Sequence, residues 1–247
     1  MRLALVSDVH GNAAGLDAVI RDLQGEEFDE ILCLGDMVQG GPQPDVVVER
    51  LRERGWACVL GNADEFVLTL DPGGEATGDE REQQLLEVAR WSRERLGSDG
   101  LAYLRDLPPT IERDVEGVRF VACHATPASN EDVVLPHTPR EELAPLVAGI
   151  DVVACGHVHL QWLRRVGDAL WFCAGSAGLA YEYVSVDPLE AGPFEPWAEY
   201  AVLTIDRDGA RRVEFRRVRY DLDEHLAVIE SSGVPHADEF AAKWRRP

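Results

Sequence analysis

The chain of 247 residues is short of basic side chains, with 24 Lys and Arg against 45 Asp and Glu. Its net charge of -21 and pI near 4.6 set it against long polyanions, so extended nucleic acid is not an expected partner. A locally positive site can still hold a small anion. No run of eighteen apolar residues occurs, and the opening MRLALVSD lacks a basic segment followed by an apolar stretch and a cleavage site. A cytoplasmic protein with no membrane partner is expected. There is no CxxC pair among the five cysteines, which lie at 33, 58, 123, 155 and 173, each in or beside a hydrophobic run. They are expected to be buried reduced thiols, the sharper alternative being a thiolate at Cys123 or Cys155. The absence of a GxSxG motif argues against a serine hydrolase. Neither an internal repeat nor a long linker divides the chain, and 45% hydrophobic content suffices for a full core. A single domain over 1–247 is expected, with 71–106 a helical insertion that could overhang a site. Homo-oligomerisation is left open.

What is present is an alternation of apolar runs and amphipathic segments. RLALVS (2–7), EILCLG (30–35) and WACVLG (56–61) read as buried strands, while 13–24 and 44–54 carry apolar residues at helical spacing. This βαβαβ order predicts parallel strands joined by right-handed crossovers. Residues 71–80 are a polar stretch rich in turn formers, followed by a charged helix to about 96 and a shorter one ending before Pro108-Pro109. Strands are expected at 110–115 and 118–123 around Glu116-Gly117, and a helix at 139–149. After residue 160 the pattern becomes antiparallel pairs: QWLRRV with ALWFCA across Gly167-Asp168, and AVLTID with ARRVEFRRVRY across Arg207-Asp208-Gly209. Two polar helices close the chain. The fold class is α/β, with a central mixed sheet or two packed sheets and helices outside.

Chemistry-bearing residues follow the apolar runs. Asp8, His10 and Asn12 come after the first, Asp36 after the second, Asn62 after the third, His124 after RFVAC, and His157 with His159 after VVACG. In parallel α/β sheets the carboxyl ends of strands share one edge, and ligand sites are built there. Two Asp, one Asn and four His form a set of nitrogen and oxygen donors suited to divalent Mn, Fe, Zn or similar ions. Asp-x-His and His-x-His skip one residue, so extended backbone projects both members to the same side. Alone, an Asp or His at a strand end is more often a cap or turn residue. Five such signals in order are far harder to reach by chance.

The motifs Asp8-Val9-His10, Gly35-Asp36, Gly61-Asn62-Ala63-Asp64, Cys123-His124-Ala125-Thr126-Pro127 and Gly156-His157-Val158-His159 resemble those of the calcineurin-like metallophosphoesterase superfamily. The likeness runs in order from residue 3 to about 220. It is greatest to the small bacterial and archaeal phosphodiesterases. The resemblance implies a four-layer α/β/β/α sandwich with two central mixed sheets and a dinuclear centre of two divalent metal ions. Asp8, His10 and His159 would bind one ion, Asn62, His124 and His157 the other, and Asp36 would bridge them. It implies hydrolysis of a small phosphoester, favouring phosphodiesters of small or cyclic nucleotides, by in-line attack of metal-held hydroxide. A phosphomonoesterase or Ser/Thr protein phosphatase shares the motifs, and a non-catalytic scaffold is the reading from another class. Asn62 would serve both metal and substrate, and Asn12 would contact substrate. Asp36, Asn62 and Asp64 would make up the catalytic set.

The chain departs from the family at Ala63, where many members carry a histidine that protonates the leaving group. Asp64, which would orient that histidine, remains, and a helix cap is its alternative role. The missing acid predicts a preference for good leaving groups, with His137 the first candidate for a substitute. The basic segment Arg211–Arg219 reads as a solvated sheet face paired with acids rather than a phosphate site. Gly175-Ser176-Ala177-Gly178 resembles a late Gly-Ser loop that lies near the site.

Overall fold

The computed structural model describes residues 1–71, 79–181 and 193–244. The first apolar runs form β1 (Arg2–Val6), β2 (Glu30–Cys33) and β3 (Ala57–Cys58), linked by helices α1 (Ala13–Leu23) and α2 (Pro44–Arg54). The three strands are parallel, as alternating strands and helices require. α3 (Asn62–Thr69) and α4 (Glu80–Arg105) follow. The boundary expected near residue 96 is a kink within α4, where Gly97 leaves helical geometry at φ 60° and ψ -170°. Then come β4 (Thr110–Val115), β5 (Val118–Cys123), α5 (Arg140–Leu143), β6 (Val152–Cys155), β7 (Trp162–Val166), β8 (Ala169–Cys173), β9 (Trp197–Ile205), β10 (Arg211–Arg219), α6 (Leu222–Ser232) and α7 (Ala237–Ala242).

Among the described residues ten strands make two five-stranded mixed sheets, ordered β10-β9-β1-β2-β3 and β4-β5-β6-β8-β7. The period-two alternation of each strand decides what lies where. Leu3 and Leu5 of β1 and Leu32 of β2 face the second sheet, meeting Phe120, Ala122, Val152, Ala154 and Phe172 in a core between the sheets. Ala4 and Val6 point the other way, against Leu16, Val19, Val47 and Leu51 of α1 and α2. Behind the second sheet, Val153, Cys155, Trp171 and Cys173 pack on Leu143 and Val147. The result is the α/β/β/α sandwich that the family resemblance implies.

Two elements differ from expectation. The helix expected at 139–149 is a single α-helical turn, Arg140–Leu143, continued as a 3₁₀ turn over Ala144–Val147. Pro145 has no N–H to return to the preceding turn, so an α-helix cannot run through it. The strand expected at 56–61 pairs only at Ala57 and Cys58. Beyond it, Leu60 N–H turns to Pro108 O at 2.9 Å, and the chain is free to enter the site at Asn62.

All five cysteines are unbridged and buried. Burial holds the Cys123 thiol well above its ordinary value, with Cys173 adding to the effect, which removes it as a thiolate. The basic segment is β10, whose arginines pair with acids: Arg211 with Asp151 at 2.9 Å, Arg212 with Asp206 at 3.1 Å and Arg217 with Glu199 at 2.9 Å. Among the described residues no helix is long and apolar enough to cross a membrane.

Candidate metal centre

β1, β2 and β3 run parallel in one sheet, β5 and β6 in the other, and their carboxyl ends meet along one edge. Immediately beyond those ends the backbone leaves extended geometry. Asp8, His10, Asp36, His157 and His159 all take positive φ, between 48° and 71°. Left-handed backbone costs about 1 kcal/mol or more in a non-glycine residue and persists where surrounding structure over-determines it. Here hydrogen bonds do so. Asp8 N–H donates to Gly35 O at 3.0 Å, His10 N–H to Asp36 O at 2.9 Å, and His157 N–H to Asp8 Oδ2 at 3.0 Å.

This backbone corrects the extended-chain argument for the paired motifs. Asp8 and His10 do share a site, joined by His159, but His157 joins Asp36 and His124 in a second one. The two histidines of the His-x-His motif, both in left-handed backbone, serve different clusters.

The ring orientations are set from outside. His10 Nδ1–H donates to Gln39 O at 2.7 Å, His124 Nδ1–H to Leu34 O at 2.7 Å and His159 Nδ1–H to Leu179 O at 2.9 Å. A carbonyl only accepts, so each Nδ1 carries the proton, and in the neutral ring Nε2 presents a lone pair inward. His157 is reversed. Its Nε2–H donates to Glu131 O at 3.1 Å, leaving Nδ1 inward, 3.2 Å from His124 Nε2. Acceptors therefore face acceptors. His10 Nε2 lies 3.0 Å from His159 Nε2, with Asp8 Oδ1 3.3 Å from the latter. In the second cluster His124 Nε2 lies 3.0 Å from Asn62 Oδ1 and 3.3 Å from Asp36 Oδ2. Lone pairs this close repel unless positive charge lies between them, and backbone carbonyls holding the outer nitrogens are the usual support of metal-binding histidines. The donor set fits a pair of divalent cations.

Asp36 joins the halves. Its Oδ1 accepts from Ala63 N–H at 2.8 Å, while Oδ2 lies 3.6 Å from His10 Nε2 and 3.3 Å from His124 Nε2. One oxygen is anchored, and the other stands between the clusters. Space around these carboxylates is closed to any side chain on the neighbouring glycines. A Cβ at Gly61 would fall 2.1 Å from Asp36 Oδ1, and one at Gly156 would fall 2.4 Å from Asp8 Oδ2.

The electrostatics show a site in need of positive charge. Burial penalises the Asp8 carboxylate, yet His159 and His10 hold it well below its ordinary value. Asp36 stands at about 2, because His124 and His10 outweigh its burial. Burial opposes charging His124 as well, but Asp36 and Asp8 raise it to about 10. Burial and the charge of His124 together lower His157 to about 4. A proton held by His124 does there what a dication would do in its place, and Asp8 and Asp36 raise His10 against its burial.

Two residues expected at the site have other work. Asn12 is fully buried, its Oδ1 accepting from Gly15 N–H at 2.9 Å as the N-cap of α1 and its Nδ2 donating to Gly178 O at 2.9 Å. Both ends of its amide are spent inside the protein, so it braces the turn carrying Asp8 and His10 instead of meeting substrate. Asp64, also fully buried, accepts from Met37 N–H at 2.8 Å, Val38 N–H at 3.1 Å and Gly61 N–H at 3.3 Å. It clamps the turn after Asp36 to the start of α3. Burial, reinforced by Asp36, pushes its carboxyl up to about 7 against those three donors.

Ser176 of the Gly-Ser loop is a brace too, its hydroxyl donating to Asp8 O at 2.7 Å. His137 is exposed and lines neither cleft at the centre. Sequence reasoning missed Gln39, whose carbonyl orients His10, and Tyr181, whose ring stacks on His159 at 5.1 Å. A signal for Gln39 existed, since a polar residue before Gly40-Gly41 follows directly on a buried run.

The centre opens into two clefts. One, of about 450 Å³, is lined by Asn62, Ala63 and His157, and the other, of about 270 Å³, by His159, Leu179 and Tyr181. His10, Gln39 and Leu85 border both. Leu85 belongs to α4, within the 71–106 stretch expected to overhang a site, and residues 72–78 of that stretch lie outside the described residues.

Comparison with known proteins agrees with this layout. The family model of the calcineurin-like phosphoesterase superfamily domain matches residues 1–191. An uncharacterized protein of Methanocaldococcus jannaschii is 25% identical over 235 residues, covering 94% of this chain and 93% of its own length. Among solved structures, a metallophosphoesterase from Sphaerobacter thermophilus superposes with a TM-score of 0.73 at 23% identity, covering 99% of this chain and 98% of its own. A hypothetical protein from Pyrococcus horikoshii gives 0.80 at 20% identity, covering 98% and 97%. At these identities the two structures speak for the fold alone.

Proposed function

We propose that this chain, which belongs to the calcineurin-like phosphoesterase superfamily, hydrolyses small phosphodiesters at two divalent ions. Asp8, His10 and His159 would hold the first ion, Asn62, His124 and His157 the second, with Asp36 Oδ2 shared. Such a pair supplies Lewis-acid activation of water and charge stabilisation for an in-line displacement at phosphorus. The protein's own part is to fix the donors. Carbonyls of Gln39, Leu34 and Leu179 set three imidazoles, and Asp64 pins the turn that delivers Asp36. Asn62 has its Oδ1 toward the second cluster, which leaves its NH₂ available to a phosphoryl oxygen.

The observation that carries the choice of a diester is the pair of clefts meeting at His10 and Gln39. A phosphodiester has two organic arms, and a phosphate at the centre would send one into each cleft. A monoester leaves one empty. Ala63 lines the larger cleft where a histidine acid would stand, and among the described residues no histidine but the ligands His10 and His157 lines that cleft. An alkoxide leaving group therefore lacks protonation by a neighbouring imidazole, which favours aryl esters and other good leaving groups.

The test compares bis(p-nitrophenyl) phosphate with p-nitrophenyl phosphate, using protein loaded with manganese. This reading predicts kcat/KM higher for the diester by about tenfold or more. A preference for the monoester would replace it with phosphomonoesterase activity.

A further inference from the structure

The two clefts differ sharply in charge. The larger carries Glu65, Asp71 and Glu131 besides the metal ligands, with no lysine or arginine among the described residues of its wall. The smaller carries Arg81, from the first turn of α4, and Lys243, which follows α7. Among the described residues neither cation lies within ion-pair distance of a carboxylate, in a chain of net charge -21 where most arginines of β10 are paired. Glu239 is the acid of that cleft, and Gln84 Nε2 donates to it at 3.3 Å. Two cations converging on one concavity, in a protein with so many acids, need a reason.

The rest of the wall supplies one. Tyr181 stacks on His159 at 5.1 Å with an interplanar angle of 20°, and Phe194 lies 5.2 Å from Tyr181. Phe240 closes on Phe194 at 6.0 Å, and Lys243 Nζ lies 5.4 Å from the Phe194 ring centre. The cleft thus runs from a metal-ligating histidine along an aromatic wall to a pair of cations. Flat apolar groups stack on such rings, and phosphate is an anion that both arginine and lysine bind through charge-assisted hydrogen bonds.

Resting on the phosphodiesterase reading above, we propose that this cleft selects a substrate arm that combines an aromatic group with a second phosphate. The bond-breaking phosphate sits at the centre, an aromatic moiety such as a nucleobase lies along the half-buried rings of Tyr181 and Phe240, which pack on the buried Phe194, and the remote phosphate reaches Arg81 and Lys243. The acidic cleft receives the other, uncharged arm. The preferred substrate class is therefore a nucleotide diester bearing an additional terminal phosphate, in preference to a neutral-armed diester.

A pair of substrates isolates the remote phosphate: thymidine 5′-(p-nitrophenyl phosphate) and the same compound with a 3′-phosphate. Both release p-nitrophenol, so the chemical step is matched. The 3′-phosphorylated compound is expected to show kcat/KM about tenfold higher or more, carried by KM, since a charge-assisted contact to phosphate is strong. In Arg81→Ala/Lys243→Ala the gap should close to about twofold, and Arg81→Glu should reverse it. Equal turnover of both compounds by the wild type, or a gap unchanged in the variants, overturns the proposal and leaves the phosphodiesterase reading standing. If neither compound is hydrolysed, the phosphodiesterase reading fails and calorimetry on the metal-free protein decides the cleft. Thymidine 3′,5′-bisphosphate should then bind more tightly than thymidine 5′-monophosphate, and the advantage should vanish in the double variant. No advantage in the wild type would overturn the proposal by that route as well.

Discussion

At the scale of single residues, the site depends on which nitrogen of each histidine faces inward. Three rings turn Nε2 to the centre because a backbone carbonyl holds Nδ1, and His157 does the opposite. In the metal-free protein His124 keeps its proton up to about 10, through Asp36 against the cost of burial. Metal loading near neutral pH must therefore expel protons, and metal affinity should weaken as pH falls. Calorimetry in buffers of different ionisation enthalpy will count the protons; no buffer dependence would contradict the assignment. Position 63 carries a second prediction. Ala63→His should raise turnover of alkyl diesters by roughly tenfold or more while changing aryl diesters little, read from the slope of rate on leaving-group pKa. An unaltered slope would mean that another acid already acts. The convergence of these residues was legible in the sequence, because each follows a strand that must end at the same edge. What could not be read was the left-handed backbone that parts His157 from His159, or the spending of both ends of the Asn12 amide on Gly15 and Gly178.

At the scale of elements, the strand ends and the helix starts hold one another. Asp64 in the first turn of α3 receives three backbone N–H groups, two of them from the turn that follows Asp36. Asp64→Ala strands buried donors, each worth about 1–3 kcal/mol, so a loss of about 2–4 kcal/mol in unfolding free energy is expected by denaturant titration. Metal affinity should fall with it, since the turn presents Asp36. A stability change below about 0.5 kcal/mol would show that the clamp carries little. Hairpin turns and most helix limits were legible from glycine placement and apolar period. The 3₁₀ turn at Ala144–Val147 was legible in principle, since Pro145 bars an α-helix there. The short β3 was not, because the run 56–61 is apolar throughout and only the approach of Pro108 shows where pairing stops. Nor does any local pattern announce the smaller cleft, which α4, α7, Tyr181 and Phe194 assemble from distant parts of the chain.

At the scale of the whole molecule, two sheets bring their carboxyl edges together, and a chain of charge -21 gathers two carboxylates and four imidazoles there. That acidity bears on partners. A long single-stranded polynucleotide should be cleaved per bond about tenfold less efficiently than a dinucleotide at low salt, with the difference shrinking as the screening length falls from about 10 Å at 0.1 M to about 3 Å at 1 M. Equal efficiency at low salt would contradict the claim that net charge governs access. The layered fold was legible from the change between parallel and antiparallel patterns, and its exact layering from the family resemblance. The central claim is that seven side chains form two adjoining cation sites sharing Asp36. Elemental analysis of protein reconstituted with manganese and freed of excess metal tests it most directly. Wild type should hold two ions per chain and Asp36→Asn one or none, whereas no bound metal in the wild type, or two ions in both proteins, would contradict it.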